Sequence, residues 1–274
     1  MKYLPKSVLI SKIALGGVAL TVLCSFAASA QASERDFTFV YQSHVLEPGR
    51  AELEPWTTVG GGRQRYYRRI EQRFELELGV LRNLQTAVYW NWDSESTNVG
   101  GQRQTSSGVS SVSNTWKLKL SDPVANAIGS ALYVEGYYGT TFNALEAKII
   151  VDKSVGPWTF AGNLIGERAW NKEVSGPAVR ELELAAVMGA SYRLTPHLRA
   201  GLEVVQVNEL VEQELETSRL SAGPVVSYAA ERWWSAFTLQ PQLAAFGGTA
   251  SAGSRLDLAH GERLTARLVL GMPL

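Results

Sequence analysis

Tyr66-Tyr67-Arg68-Arg69-Ile70-Glu71-Gln72-Arg73-Phe74-Glu75-Leu76-Glu77-Leu78-Gly79-Val80 sorts its side chains by parity. The even positions hold Tyr66, Arg68, Ile70, Gln72, Phe74, Leu76, Leu78 and Val80, and the odd ones hold Tyr67, Arg69, Glu71, Arg73, Glu75 and Glu77. After Leu81-Arg82-Asn83 the pattern restarts, with Leu84, Thr86, Val88, Trp90 and Trp92 set against Gln85, Ala87, Tyr89, Asn91 and Asp93. Successive side chains of a β-strand point to opposite faces, so this is a hairpin with one apolar wall and one charged wall. Alternation of this length, closed by an aromatic pair, predicts a transmembrane β-hairpin.

The chain start agrees with that setting. Lys2, Lys6 and Lys12 precede an apolar run from Ile13 to Phe26, followed by Ala28-Ser29-Ala30, a small-x-small site. This predicts a secretory signal peptide over residues 1–30, cleaved near Ala30. The only cysteine, Cys24, falls inside it and lacks the preceding small residue of a lipoprotein signal. The mature chain then has no thiol or disulfide chemistry. Removing the three signal lysines from 26 basic residues leaves 23 against 26 acidic ones, a net charge of −3. No basic patch speaks for nucleic acid.

No later apolar run approaches the roughly 20 residues of a membrane helix. In lipid every backbone polar group needs an internal partner, which leaves a closed barrel if the chain spans a membrane. A periplasmic soluble β-protein is the alternative. The expected architecture is all-β, a transmembrane antiparallel up-and-down β-barrel of about twelve strands over residues 50–274. Strands are expected near 50–59, 65–80, 84–93, 112–121, 127–138, 143–152, 157–169, 181–193, 197–207, 219–229, 232–243 and 263–274. Short turns containing Asn83, Pro123, Gly156, Pro196 and Glu231 alternate with longer polar segments at 94–111, 170–180, 208–218 and 244–262. The short connections are expected in the periplasm and the long ones outside. Residues 31–49 are expected to lie outside the wall, as a periplasmic lead-in or a partial plug.

Aromatic residues on the outward parity fall into two girdles: Tyr66, Trp90, Trp92, Tyr138 and Trp170 at the outer ends, and Trp158, Tyr192, Tyr228 and Trp233 at the inner ends. Lipid interfaces collect such residues. The inward parity collects Glu52 and Glu54, then Arg69, Glu71, Arg73, Glu75 and Glu77, and from other strands Glu135, Glu146, Lys148, Asp152, Glu167, Glu183, Arg199, Glu203 and Arg267. Charge on one face needs water or opposite charge. Arg69 and Arg73, set against Glu71, Glu75 and carboxylates of neighbouring strands, form either a field that orients a small polar solute or a set of ion pairs that braces the wall shut. Tyr67, Tyr89, Tyr133 and Tyr137 on the same parity either stack a solute or fill the lumen.

Nothing in the sequence assembles catalysis. His44 lies in the lead-in and His197 in an inner turn, the wrong end for a barrel hydrolase. His260, in the last outer loop, is expected to be a solvated loop residue. No metal-ligand spacing, phosphate loop or nucleophile elbow occurs, so no cofactor and no enzymatic activity are expected.

The mature chain resembles Gram-negative outer-membrane β-barrel proteins of the small channel or porin-like kind. Phe37-Thr38-Phe39-Val40-Tyr41, Glu47-Pro48-Gly49, and Glu77-Leu78-Gly79-Val80 leading to Asn83-Leu84-Gln85 are similar to uncharacterised barrels grouped with outer-membrane transporters. The last strand, with Leu264, Ala266, Leu268, Leu270, Met272 and Leu274 on one parity, resembles the sorting signal read by the barrel-assembly machinery, although Pro273-Leu274 departs from its usual final Phe. The resemblance implies transport and little more; with the charged, tyrosine-bearing lumen, the expectation is a narrow channel for small hydrophilic or aromatic solutes, in contact with outer-membrane lipid and lipopolysaccharide. A closed structural or surface-binding barrel, or less favourably a hydrolase, is the alternative.

Overall fold

A computed structural model describes residues 34–172, 177–248 and 255–274. The signal-peptide reading of residues 1–30 lies outside the described residues. Twelve strands occur: β1 (Ala51–Gly61), β2 (Tyr67–Leu81), β3 (Leu84–Val99), β4 (Gln102–Ser121), β5 (Gly129–Gly139), β6 (Phe142–Val155), β7 (Trp158–Asn171), β8 (Val179–Arg193), β9 (Leu198–Val211), β10 (Glu214–Ala229), β11 (Trp234–Gly248) and β12 (Leu264–Pro273). Each pairs antiparallel with its sequence neighbours, and β1 pairs with β12, so the sheet closes into a barrel. Closure removes every strand edge. The described residues contain no helix long and apolar enough to cross a membrane.

Parity decides the two faces, as expected from Tyr66 to Val80. Along β2, Phe74, Leu76, Leu78 and Val80 are exposed on the outside, while Glu75 and Glu77 are buried within. The girdle residues Tyr66, Trp90, Trp158, Trp170, Tyr192, Tyr228 and Trp233 are exposed on the outer wall, and so is Tyr138. Trp92 is half-buried and shares an apolar surface groove with Phe74 and Trp90. At the end where β1 begins and β12 finishes, here the inner end, Trp158 meets Tyr192 at 4.9 Å and Tyr228 meets Trp233 at 5.4 Å between ring centroids.

Two expected outer loops are strands instead. The segment 94–111 continues β3 and β4 as a long hairpin turned only by Gly100-Gly101, both with positive φ. From Asn98 to Val109 its residues are exposed on both parities, so both faces meet water there and the alternation that marks a membrane strand disappears. Segment 208–218 is likewise β9 running into β10 through a two-residue turn at Glu212-Gln213, with φ of 47° and 76°. Such a turn favours Asn-Gly, so Glu-Gln does not announce it. The Asp122-Pro123 connection is longer than expected, spanning 122–128.

The stretch before β1 is no wall strand. It enters the bore from the inner end, folds back on itself, with Asp36 N–H donating to Gln42 Oε1 at 2.9 Å, and leaves into β1. Phe37 and Val40 pack against Ala161, Val187 and Val225, and Tyr41 packs with Trp56, Tyr133 and Ile150. Two wall glycines make room for it. A Cβ on Gly189 would stand 2.6 Å from the Phe37 ring, and one on Gly79 would stand 2.1 Å from the Glu47 carbonyl oxygen.

Candidate functional site

The inner half of the bore is filled by residues 35–46, and the wall holds their backbone with side chains. Glu203 on β9 is fully buried and accepts the N–H groups of Thr38 (3.1 Å), Phe39 (2.7 Å) and Val40 (3.0 Å) on one oxygen. Its other oxygen takes the hydroxyls of Thr38 and Thr238. Asn163 on β7 imitates a strand partner, accepting from Tyr41 N–H at 2.7 Å and donating to the Tyr41 carbonyl at 2.9 Å. Gln85 accepts Leu46 N–H at 2.9 Å. Asp36 takes the Ser191 hydroxyl at 2.7 Å and faces Arg199 at 3.2 Å. Side chains of the wall thus accept the N–H groups of Thr38 to Tyr41 and of Leu46, which a segment without a strand partner requires.

The arginine ladder expected on β2 splits into separate groups. Arg69 does meet Glu71, at 2.6 Å, and lies 3.5 Å from Glu262. Arg73 does not pair with Glu75. It reaches Glu135 on β5, three strands along the wall, at 2.6 Å and donates to Asn91 at 3.0 Å. Glu75 and Glu77 turn instead toward the plug, where they line a small cavity with Arg35 and Lys117. Parity places these side chains on the inner face, but a strand pattern says nothing about which opposite strand a long side chain reaches.

The four lumen tyrosines are taken up by the wall's own charges. Arg73 lies 4.2 Å from the Tyr89 ring centroid and 5.8 Å from that of Tyr137. Lys148, paired with Glu146 at 2.8 Å, sits 4.3 Å over Tyr133. Tyr133 also donates to Glu135 at 2.5 Å, and Arg63 covers Tyr67 at 3.6 Å. Cation–π contacts of this kind leave the ring faces occupied. Arg267 on β12 reaches the plug, 4.0 Å over the Phe39 ring, and donates to Thr58 at 2.9 Å.

The outer half holds an arrangement that parity alone does not reveal. Glu135, Glu146, Glu167, Glu183 and Glu209 stand directly opposite one another on the five successive strands β5 to β9. Glu135 lies mid-strand and Glu209 two residues below the outer turn, so the row climbs from mid-bore to the outer mouth. Like charges directly opposite in a sheet destabilise it. Partial compensation comes from Arg73 on Glu135, Lys148 on Glu146 and Arg219 on Glu209. The upper members Glu167, Glu183 and Glu209 line an outer cavity of about 360 Å³ together with Glu181, Glu216 and Arg63. Arg69, Arg73 and Arg267 come from β2 and β12 on the other arc of the wall. Four of the five glutamates lie on readable inward parity. Their alignment depends on exact strand offsets, and Glu209 falls where a loop was expected.

The histidines also find places. His44 lines the small inner cavity. His197, in the turn between β8 and β9, lies 2.9 Å from the Ala229 carbonyl through Nδ1. His260 is not a solvated loop residue: it is half-buried, with Nδ1 3.1 Å from Asp257 and Nε2 3.9 Å from Glu216, and it borders the outer cavity. Asp257 fixes it further by accepting the N–H of His260 at 3.2 Å.

A closed twelve-stranded antiparallel wall, apolar outside and charged within, defines the outer-membrane type of β-barrel. Known structures agree on the fold. The chain is similar to an outer membrane channel from Pseudomonas putida F1, with a TM-score of 0.62 and 12% identity, covering 85% of this chain and 98% of that one. It is also similar to the NanC porin (TM-score 0.51, 8% identity, 82% and 100% covered) and to the β domain of the Bordetella autotransporter BrkA (TM-score 0.51, 8% identity, 83% and 100% covered). Residues 161–274, from within β7 to the chain end, match a family of unknown function, DUF6662. No curated protein sequence matches the chain.

Proposed function

We propose that the chain is an integral barrel of the outer membrane, oriented with the plugged end toward the periplasm, that admits small hydrophilic solutes carrying positive charge. The observation that carries this reading is the row Glu135, Glu146, Glu167, Glu183 and Glu209, which leads from the outer cavity down to the plug. Such a row works against the stability of the wall, and local conflicts of this kind mark functional positions. Across the bore the arginines of β2 and β12 complete a transverse field that orients a dipolar solute. Aromatic solutes fit less well than the tyrosines first suggest, because those rings already serve Arg73, Lys148 and Arg63. The filled inner half favours a second state of the same protein, a closed resting barrel that conducts only when residues 35–46 shift. On this reading the outer girdle meets lipopolysaccharide, and the last strand is what the barrel-assembly machinery receives.

The test is a reversal potential in a planar bilayer under a KCl gradient. The purified barrel should give small cation-preferring steps, and the double variant Glu167→Gln, Glu183→Gln should lose most of that preference. Steps without ion preference, or preference unchanged in the double variant, would contradict the reading.

A further inference from the structure

Beneath the plug, four glutamates of the wall face one another in pairs. Glu52 and Glu54 on β1 stand directly opposite Glu77 and Glu75 on β2. Their exposures are 0%, 0%, 7% and 1%, so the mutual repulsion of opposed like charges is not relieved by water. Glu52 takes the indole N–H of Trp234, and Glu54 Oε2 takes that of Trp56 at 3.0 Å and faces Arg35 at 3.4 Å.

The remaining oxygens are another matter. Glu54 Oε1, Glu75 Oε2 and Glu77 Oε2 are each buried and accept no hydrogen bond. Carboxylate oxygens of these three residues lie within 4.8 Å of one another. They border a cavity of about 10 Å³, room for a single particle the size of a water. Only two cations, Arg35 and Lys117, share that lining with the three carboxylates. A buried carboxylate oxygen without a partner is costly, and each of these three neighbouring residues carries one.

The geometry points to a divalent cation site formed by Glu54, Glu75 and Glu77 at the seam between plug and wall, with Ca²⁺ as its ion. All three donors are anionic oxygens, and His44, though in the lining, is not among the converging ligand groups. Hard oxygen donors select Ca²⁺ or Mg²⁺ over the softer transition metals. Mg²⁺ retains several of its waters, for which a one-particle cavity has no room, whereas Ca²⁺ accepts irregular carboxylate shells. The roof of the cavity belongs to the plug, through Arg35, Tyr41, Gln42 and His44, so a bound ion fastens the plug to β1 and β2. This site stands whether or not the barrel conducts.

Terbium luminescence on the full chain in detergent tests it, because Tb³⁺ replaces Ca²⁺ and the Trp56 indole, 3.0 Å from Glu54, serves as antenna. The wild-type barrel should show Trp-sensitised emission that Ca²⁺ competes away. Glu75→Gln and Glu77→Gln should each weaken binding at least tenfold, while Glu231→Gln, in an exposed turn, should not. Folding of each variant is checked by heat-modifiable migration. Should the two glutamine variants fail to fold, the wild-type protein decides alone: Ca²⁺ must raise its unfolding temperature more than equimolar Mg²⁺ does. No emission from folded wild type, emission that survives in both folded variants, or no Ca²⁺-specific shift would overturn the site. An emission that survives would mean that the ion sits elsewhere, and a silent wild type whose glutamine variants are more stable would mean that the triad holds protons.

Discussion

The two halves of this bore use the same residue type in opposite ways. In the inner half Glu203 is enclosed, with five hydrogen-bond donors arranged around it, three of them successive backbone N–H groups of the plug. In the outer half Glu167 and Glu183 stand opposite each other in a row of like charges and open onto a cavity of about 360 Å³. A carboxylate whose partners are all supplied by the fold holds structure in place. A carboxylate left facing its own kind at the edge of a water-filled space is available to something that arrives. The difference between a brace and a binding surface is therefore set by partners, and burial or charge alone does not reveal it.

Substitutions at the two levels should consequently behave differently. The largest effect is expected at Glu203→Ala, which leaves Thr38, Phe39 and Val40 N–H groups buried without an acceptor. Removing a buried charged acceptor of this kind costs about 4 kcal/mol. Thermal unfolding should fall accordingly, and single-channel conductance should rise as the plug loosens; unchanged conductance with lowered stability would show that the plug is not held there.

Next comes Arg73→Glu, at the boundary between the halves, which sets a second carboxylate against Glu135 where a 2.6 Å ion pair stood. At the effective dielectric of a partly wet interior the repulsion is about 3 kcal/mol. Unfolding temperature should drop while insertion survives. Phe74→Glu on the lipid face should instead impair insertion itself. The reverse outcome would invert the inside and outside of β2.

Glu183→Gln in the outer row should move stability by no more than about 0.5 kcal/mol, and toward greater stability, because it removes one of a set of opposed charges. A loss of several times that size would make the row a brace like Glu203.

The smallest effect belongs to Asp122, in the inner turn between β4 and β5. The Lys119 ammonium at 2.7 Å and the N–H groups of Ala125 and Val124 hold its carboxyl down to about 2. An acid depressed in the folded state contributes stability that is present above its unfolded value, about 4, and is lost as pH falls through the folded one. The difference in unfolding temperature between wild type and Asp122→Asn should therefore be small at about pH 5, shrink further as pH falls toward 2 and vanish only below that.

The same contrast explains what could be read from the chain. Phe74 and Glu75 announce lipid and bore because adjacent residues meet opposite solvents, and the same alternation runs through β3, β5 and β6. Farther out the signal fails: Ser94 to Val99 and Gln102 to Val109 are strand, but water on both faces leaves no alternation to read. Glu203 could be placed on the inner face, yet its role depends on Thr38 to Val40, some 165 residues away in sequence. The glutamate row needs the register of four strand pairs to be known to the residue. A slip of one position on a single strand turns that strand's member to the other face. The sequence sets Arg73 against Glu71, Glu75 or carboxylates of other strands without choosing among them, and the partner it takes, Glu135, lies three strands around the wall.

Cysteine accessibility along the bore reports on the division into an open outer half and a sealed inner half. Cys24 is the chain's only cysteine, so single replacements give clean signals. In intact cells Glu183→Cys should react rapidly with a membrane-impermeant maleimide added from outside. Val40→Cys should stay unmodified until Glu203→Ala is introduced. Equal labelling at both positions in the otherwise unaltered protein, or protection of Glu183→Cys, would contradict the division.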